Sequence, residues 1–231
     1  MSKRMKAVSA VVDRSKPFYS LKEAVGLIKQ APPVKFDQTV ELSVDLDVDI
    51  KQTDQMVRGT VVLPHGTGKT VKILVFAKGD AERAAKEAGA DYVGAEDLLA
   101  KVQGGWTDFD VVISTPDLMK EVGKLGKVLG PKGLMPSPKT GTVTPDVARA
   151  VQDAKRGKVE FKIDKQGDIH LGIGKLSFPP EAIEANGRSV LEAIWKARPP
   201  AVKGRYVKSV ALSSTMGPGV KVDPAEGRPE L

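Results

Sequence analysis

Between Val40 and Ile50 apolar and polar residues alternate without a break: Val40, Leu42, Val44, Leu46, Val48 and Ile50 against Glu41, Ser43, Asp45, Asp47 and Asp49. A period of two belongs to a β-strand with one face buried and one wet, so this run predicts a strand in a sheet covered on one side only. Before it the period is helical. Leu21, Ala24, Val25 and Ile28 follow a capping box formed by Ser20 and Glu23, and Pro32-Pro33 ends the helix. Residues 58–63 read as a second strand, broken by Pro64-His65-Gly66-Thr67-Gly68.

From Val71 the pattern changes. VKILVFA is an almost continuous apolar strand, after which Asp80 is expected to cap a helix, AERAAKEAG, that closes on Gly89. A short strand, DYV, precedes the helix AEDLLAKV, which Gly104-Gly105 stops. Residues 109–114 form another buried strand and feed a helix opened by Thr115-Pro116-Asp117. Thr144-Pro145-Asp146 repeats that start, and the last helix ends near Gly157. Short apolar strands alternating with helices indicate a parallel sheet with right-handed crossovers.

After Gly157 the alternation returns. Val159, Phe161 and Ile163 are followed by a turn at 164–168, and Ile169, Leu171 and Ile173 are expected to run back as the hairpin partner. Pro179-Pro180 opens a helix carrying Ile183, Val190, Leu191 and Ile194, halted by Pro199-Pro200. A final strand over 206–213 leads into SSTMGPGV and a Pro/Gly/charge-rich tail expected to fray. The simplest architecture has one domain built from both ends, residues 1–66 and 159–231, with a second domain, 67–158, inserted between them. The two glycine-bearing connections would act as a hinge. A single-domain alternative has to fit two different strand patterns into one sheet.

Composition narrows the function. The chain has 231 residues, 41% of them hydrophobic and 28% charged, which suits a soluble protein with a sizeable core. Its net charge is +7 and its pI about 9.4, favouring a polyanionic partner. With no cysteine, disulfides, thiol nucleophiles and cysteine-ligated zinc are excluded. The N-terminal MSKRMKAVSAVV lacks the apolar run of a signal peptide, and no segment is long enough to span a bilayer, so a cytoplasmic protein is expected. The cations are segregated: Lys196, Arg198, Lys203, Arg205, Lys208 and Lys221 fall in 193–222 without an acid, whereas 31–50 is net acidic.

Residues 115–141, TPDLMKEVGKLGKVLGPKGLMPSPKTG, concentrate this charge. Lys120, Lys124, Lys127, Lys132 and Lys139 are interleaved with five glycines and three internal prolines, while Leu125, Val128, Leu129, Leu134 and Met135 keep one side apolar. An ordered cationic loop that lets its backbone approach an anion is one reading, and a solvated lysine loop is the other.

Catalytic chemistry has little to work with. Gly66-Thr67-Gly68-Lys69-Thr70 ends like a phosphate-binding loop, but Leu63 stands where the first glycine belongs and a strand follows where a helix should. No G-x-G-x-x-G links the first inserted strand to its helix. His65 and His170 are the only histidines, the carboxylates show no recognisable metal-ligand spacing, and no nucleophile elbow is present. No metal and no cofactor are expected. Thr39 and Glu41, on the polar side of their strand, follow Lys35 and Phe36. A carboxylate there can accept from a ribose 2′-hydroxyl, which DNA lacks, and Phe36 either stacks on a base or belongs to the core. In SSTMGPGV, Gly217 and Gly219 allow close backbone approach, Thr215 supplies a hydroxyl and Met216 an adaptable apolar contact, unless the segment is a plain loop.

GKLGKVLGPKGLMPSPKTGTV resembles the signature of the bacterial ribosomal protein L-one family, the large-subunit protein of the mobile stalk. The likeness extends through FDQTVEL, DIHLGIGK at Asp168–Lys175 and SSTMGPGV at residues 213–220. It implies an α/β protein of two domains, a split α+β domain carrying both termini with an inserted Rossmann-like three-layer α/β/α domain. It also implies a non-enzymatic, monomeric constituent of the cytoplasmic ribosome. By motif match the contacts to large-subunit rRNA would be Lys35, Phe36, Thr39, Glu41, Ser209, Thr215, Met216 and Gly217, together with Lys165 and His170. The inserted domain would present Lys124, Lys127, Lys132 and Lys139 to deacylated tRNA leaving the exit site, and the protein would repress its own mRNA through a leader that mimics the ribosomal site. The alternatives are a Rossmann-type nucleotide or small-molecule binding protein or enzyme, and a generic basic RNA chaperone.

Overall fold

The structure, a computed structural model, describes residues 3–13, 15–50, 52–202 and 204–228, with the side chains of Met5, Ser9, Thr53 and Lys139 left aside. Lys203 of the basic C-terminal run thus lies outside the described residues. In chain order the elements are helix α1 (Lys3–Ala10), α2 (Leu21–Lys29), strand β1 (Thr39–Leu46), β2 (Arg58–Val62), β3 (Ile73–Phe76), α3 (Asp80–Glu87), β4 (Tyr92–Gly94), α4 (Glu96–Gln103), β5 (Val111–Ser114), α5 (Met119–Gly123), α6 (Gly126–Leu129), α7 (Val147–Lys155), β6 (Lys158–Lys162), β7 (Asp168–Lys175), α8 (Pro180–Lys196), β8 (Val207–Ser214) and β9 (Gly219–Val222). Short 3₁₀ turns lie at Thr53–Gln55, Pro116–Leu118 and Pro138–Thr140. The described chain divides into two compact units, one up to Gly68 and again from Val159, the other Lys69–Lys158.

The split unit is built on a four-stranded sheet ordered β7-β1-β8-β9, in which every ladder is antiparallel. Alternation along β1 buries Val40, Leu42, Val44 and Leu46, and α2 and α8 cover that face with Leu21, Val25, Ile28, Ile183, Val190, Leu191 and Ile194. Burial of a side chain of this size contributes about 1.5–3 kcal/mol, so the covered face dominates the unit's stability. Ser20 caps α2 in the expected box: its hydroxyl accepts from the Glu23 N–H and the Glu23 carboxylate accepts from the Ser20 N–H. Asn186 of α8, fully buried, donates to the carbonyls of Gly66 (2.9 Å) and Ile173 (2.7 Å) and accepts from the His65 N–H (3.0 Å).

In the inserted unit β4-β3-β5 form a parallel sheet. Alternate residues of the apolar run divide between two cores. Leu74 and Phe76 pack with α4, α5 and α6 through Leu98, Val102, Val122, Leu125 and Leu129, while Ile73, Val75 and Ala77 pack with α3 and α7 through Ala85, Val147, Val151 and Ala154. The result is three layers, helices on both faces of a sheet.

Five local expectations change. β6 and β7 do not form a hairpin: β6 pairs with β2 in a separate two-stranded sheet and β7 with β1, the chain between them closing only at Asp164, whose N–H donates to the Asp168 carbonyl. The tail after SSTMGPGV is not frayed from its start, because Lys221 and Val222 complete β9 beside β8. β1 stops at Leu46, short of Ile50. Gly79 at φ 65° precedes α3 without a side-chain cap, so Asp80 is its first residue, not its cap. At the second Thr-Pro-Asp, Asp146 caps α7 through the Arg149 N–H while the Thr144 hydroxyl accepts from the Asp146 N–H. The first Thr-Pro-Asp opens a 3₁₀ turn that runs on into α5.

Candidate nucleic-acid interface

The antiparallel register arranges the uncovered face of the split unit in rows. Lys175 lies opposite Thr39; Glu41 stands between Gly172 and Ser213, with Gly219 beyond; Ser43 stands between His170 and Ala211, with Lys221 beyond; Asp45 stands between Asp168 and Ser209. Most neighbours in the middle rows are glycine, alanine or serine, so the field is flat. Glu41 rises from it without an ion pair among the described residues. A carboxylate placed this way can meet a backbone or ribose lying across the sheet without first breaking an internal bond.

At the Thr39 end the β8–β9 turn is locked onto the start of β1. The Thr215 N–H donates to the Thr39 carbonyl (3.1 Å), the Thr39 N–H donates to Thr215 Oγ1 (3.1 Å), and that hydroxyl donates to the Thr39 carbonyl (3.3 Å). Lys175 Nζ donates to Thr39 Oγ1 (2.9 Å). Gln38, almost wholly buried, accepts from the Met216 N–H through its side-chain oxygen (2.8 Å), and Arg4 donates to the Met216 carbonyl (3.1 Å). The Gly217 N–H closes the turn on the Ser214 carbonyl (2.9 Å). These bonds fix the backbone around two large apolar side chains that stay in water, Phe36 at 53% exposure and Met216 at 46%. Phe36 is therefore not a core residue.

The expected RNA-contact set falls into two groups. Lys35, Phe36, Thr39, Glu41, Thr215, Met216 and Gly217 gather at one end of the face. Ser209, opposite Asp45, and Lys165, in the turn before Asp168, lie toward the other end, with His170 between, its Nδ1 3.0 Å from the Ser43 hydroxyl. Six strand residues separate Thr39 from Asp45, about 20 Å. The sequence reading did not single out Arg4, Gln38 and Lys175. Lys175 closes the quoted run DIHLGIGK, but nothing in the local pattern of Arg4 or Gln38 reveals that the β8–β9 turn comes to rest on them.

Asp164, Asp168 and His170 bring one oxygen or nitrogen each within 4.8 Å of one another, a grouping that the spacing of the carboxylates did not suggest. Hydrogen bonds from the backbone N–H groups of Asp168 and Gln166 hold the Asp164 carboxyl below its usual pKa, so its charge already serves the turn.

In the inserted unit the lysine-rich stretch opens with two short helices, α5 and α6, and continues as an ordered loop through 130–141 that ends on a 3₁₀ turn. Val122, Leu125 and Leu129 are buried, and Lys124, Lys127 and Lys132 point outward, Lys132 Nζ reaching the Thr107 hydroxyl. The Lys139 side chain lies outside the described residues.

Residues 27–218 match the family model described as Ribosomal protein L1p/L10e family. The chain belongs to that family. It is similar to the large ribosomal subunit protein uL1 of Protochlamydia amoebophila (strain UWE25), 59% identical over 222 residues that cover 96% of this chain and 94% of that protein. It is likewise similar to the large ribosomal subunit protein uL1 of Chlamydia pneumoniae, 54% identical over 224 residues, 97% and 96% of the two chains. The family match takes in both the Thr39–Thr215 junction and the lysine-bearing helix pair.

Proposed function

We propose that this chain is a structural protein of the large ribosomal subunit whose split unit binds a folded segment of large-subunit rRNA in the mould formed by β1 and the β8–β9 turn. It is a translation component and not an enzyme. The observation that carries the reading is the Thr39–Thr215 junction: a backbone held rigid by mutual hydrogen bonds, with Glu41, Phe36 and Met216 left open beside it. Rigid surroundings lower the ordering cost of binding, and a carboxylate on a flat face selects ribose over deoxyribose. The further contacts would be Lys35 and Gly217 at the mould and Lys165, His170 and Ser209 along the same face.

The finer reading adds two roles. The outward lysines Lys124, Lys127 and Lys132 form a cationic surface for the backbone of deacylated tRNA leaving the exit site, and the family motif adds Lys139 to that set. The same mould that grips rRNA would grip a leader of the protein's own mRNA with the same shape, repressing its translation. Filter binding with a stalk-rRNA fragment and a scrambled transcript, over a series of salt concentrations, tests the central claim. The stalk fragment is expected to bind more tightly at every salt concentration, and equal affinity would leave only a generic basic surface.

A further inference from the structure

A cavity of about 320 Å³ opens at the other end of the split unit's sheet, where α8 ends and the chain leaves β9. Three aromatic residues, Phe18, Trp195 and Tyr206, and three arginines, Arg198, Arg205 and Arg228, line it, with Asp223 the one carboxylate. Val207 at this end pairs with Leu46, whereas Ser214 at the mould pairs with Val40, so the two places are about 20 Å apart along the strands. Among the described residues none of the three pairs with an acid, and two are held by carbonyls instead: Arg198 donates to the carbonyls of Val202 (2.9 Å) and Gly204 (3.0 Å), and Arg205 to those of Val207 (3.1 Å) and Lys208 (2.6 Å). Carbonyl anchors fix a guanidinium without neutralising it.

The arginines also sit over rings. The Arg198 guanidinium lies 5.9 Å from the Tyr206 ring centre and that of Arg228 5.9 Å from the Trp195 ring centre, with Trp195 and Tyr206 edge to face at 5.6 Å. Phe18 stands 42% exposed, and the Trp195 indole N–H is buried without a partner among the described residues. A buried indole N–H normally has an acceptor, and one without accessible surface does not reach a ligand in the cavity, so its resonance serves as a reporter on the wall. Unneutralised cations ask for an anion, and an exposed ring beside them asks for something flat to stack on it.

We propose that this cavity binds a nucleoside phosphate, its base against the exposed ring of Phe18 and its phosphate on the arginines. The inference stands apart from the rRNA mould and does not need it. The same chemistry comes from an unpaired nucleotide of an RNA strand or from a free nucleotide. A phosphotyrosine peptide offers a ring and a phosphate too, but no sugar hydroxyls to donate to Asp223, the one carboxylate of the lining.

The test uses the full chain labelled with ¹⁵N. It contains two tryptophans, so Trp106→Phe assigns the Trp195 indole resonance. Adenosine monophosphate, a tetra-adenylate oligoribonucleotide, inorganic phosphate and a phosphotyrosine peptide are titrated separately. A saturable shift of that resonance with the monophosphate or the oligomer is expected, weakened at least tenfold in both Phe18→Ala and Arg228→Gln and unchanged in Thr215→Val. Response to both adenylates identifies a free nucleotide as sufficient; response to the oligomer alone identifies an RNA strand. No shift with either, an equal shift with phosphate or the peptide, or a shift that Phe18→Ala and Arg228→Gln leave unweakened overturns the proposal without touching the mould; loss of the shift in Thr215→Val overturns it by placing the adenylate at the mould instead.

Discussion

A Cβ added to Gly217 would stand 2.1 Å from Ser214 Oγ, and the next nearest atom, Ser214 Cβ, would be 3.4 Å away. One hydroxyl oxygen is thus the atom that a methyl group at 217 would have to displace; the backbone there does not have a positive φ. Ser214 Oγ is itself buried without a partner among the described residues. Gly217→Ala is expected to displace the turn, cost about 1–3 kcal/mol in urea unfolding and weaken rRNA binding. Ser214→Ala alone should be close to neutral, and adding it to Gly217→Ala should restore most of the loss. If the double variant is as impaired as Gly217→Ala, the close approach is not the reason for the glycine.

Thr215→Val keeps the shape of the side chain and removes the hydroxyl that ties the turn to both polar groups of Thr39. Two exposed hydrogen bonds disappear while the ladder bond from the Thr215 N–H remains. The melting temperature should change little, and the affinity for the stalk fragment should fall by about 1–3 kcal/mol, roughly five- to 150-fold. Unchanged affinity in a titration of the purified variant would remove the junction from the binding site.

Glu41→Gln tests the ribose argument. The side chain has Gly172 and Ser213 as cross-strand neighbours and no described cation paired with it, so the substitution disturbs no internal bond. Binding to stalk RNA should weaken, and binding to DNA of the same sequence should stay nearly the same. An equal loss for both would show the carboxylate acting through general electrostatics.

Replacing Lys124, Lys127 and Lys132 with alanine removes three outward charges and leaves Val122, Leu125 and Leu129 in their core. The variant should assemble into the large subunit with ordinary occupancy, measured on sucrose gradients, and slow the departure of deacylated tRNA from the exit site. Failure to join the subunit would mean that the inserted unit carries the rRNA contact.

The elements set by one-dimensional patterns were legible. The alternation of β1, the capping box of α2 and the continuous apolar run of β3 each follow from how neighbours in sequence share a face, and the structure keeps all three. Pairing between distant segments was not. Val159, Phe161 and Ile163 have the period of a hairpin strand, yet periodicity says which face is buried and not which strand lies alongside, and β6 pairs with β2 instead. β9 has no signal of its own because four residues split between SSTMGPGV and the tail carry too short a pattern, and only the ladder to β8 makes them a strand. At the mould, Thr39 and Thr215 could each be picked out, but their contact joins residues 176 positions apart. Gln38 and Arg4 had no local signal at all.

Asn186 allows the most demanding test of the split unit, because one buried amide satisfies three backbone groups: the His65 N–H and the carbonyls of Gly66 and Ile173. Asn186→Leu preserves volume and leaves all three without partners, a loss of about 3 kcal/mol or more, visible as a large fall in Tm. Asn186→Asp separates donor from acceptor. Its carboxylate can still accept from His65 but, when ionised, can donate to neither carbonyl, and burial disfavours the charge. The folded-state pKa of the new group should therefore lie above the usual value of about 3.9, so that the folded protein holds a proton which the unfolded chain has released. Stability of Asn186→Asp should accordingly fall as pH rises above about 3.9 and level off once the folded-state group has ionised, with the native chain showing no such added slope over the same window. A variant whose stability relative to the native chain instead rises with pH across that window would mean that the carboxylate is stabilised where it sits, and that the two carbonyls do not depend on Asn186 for their donors.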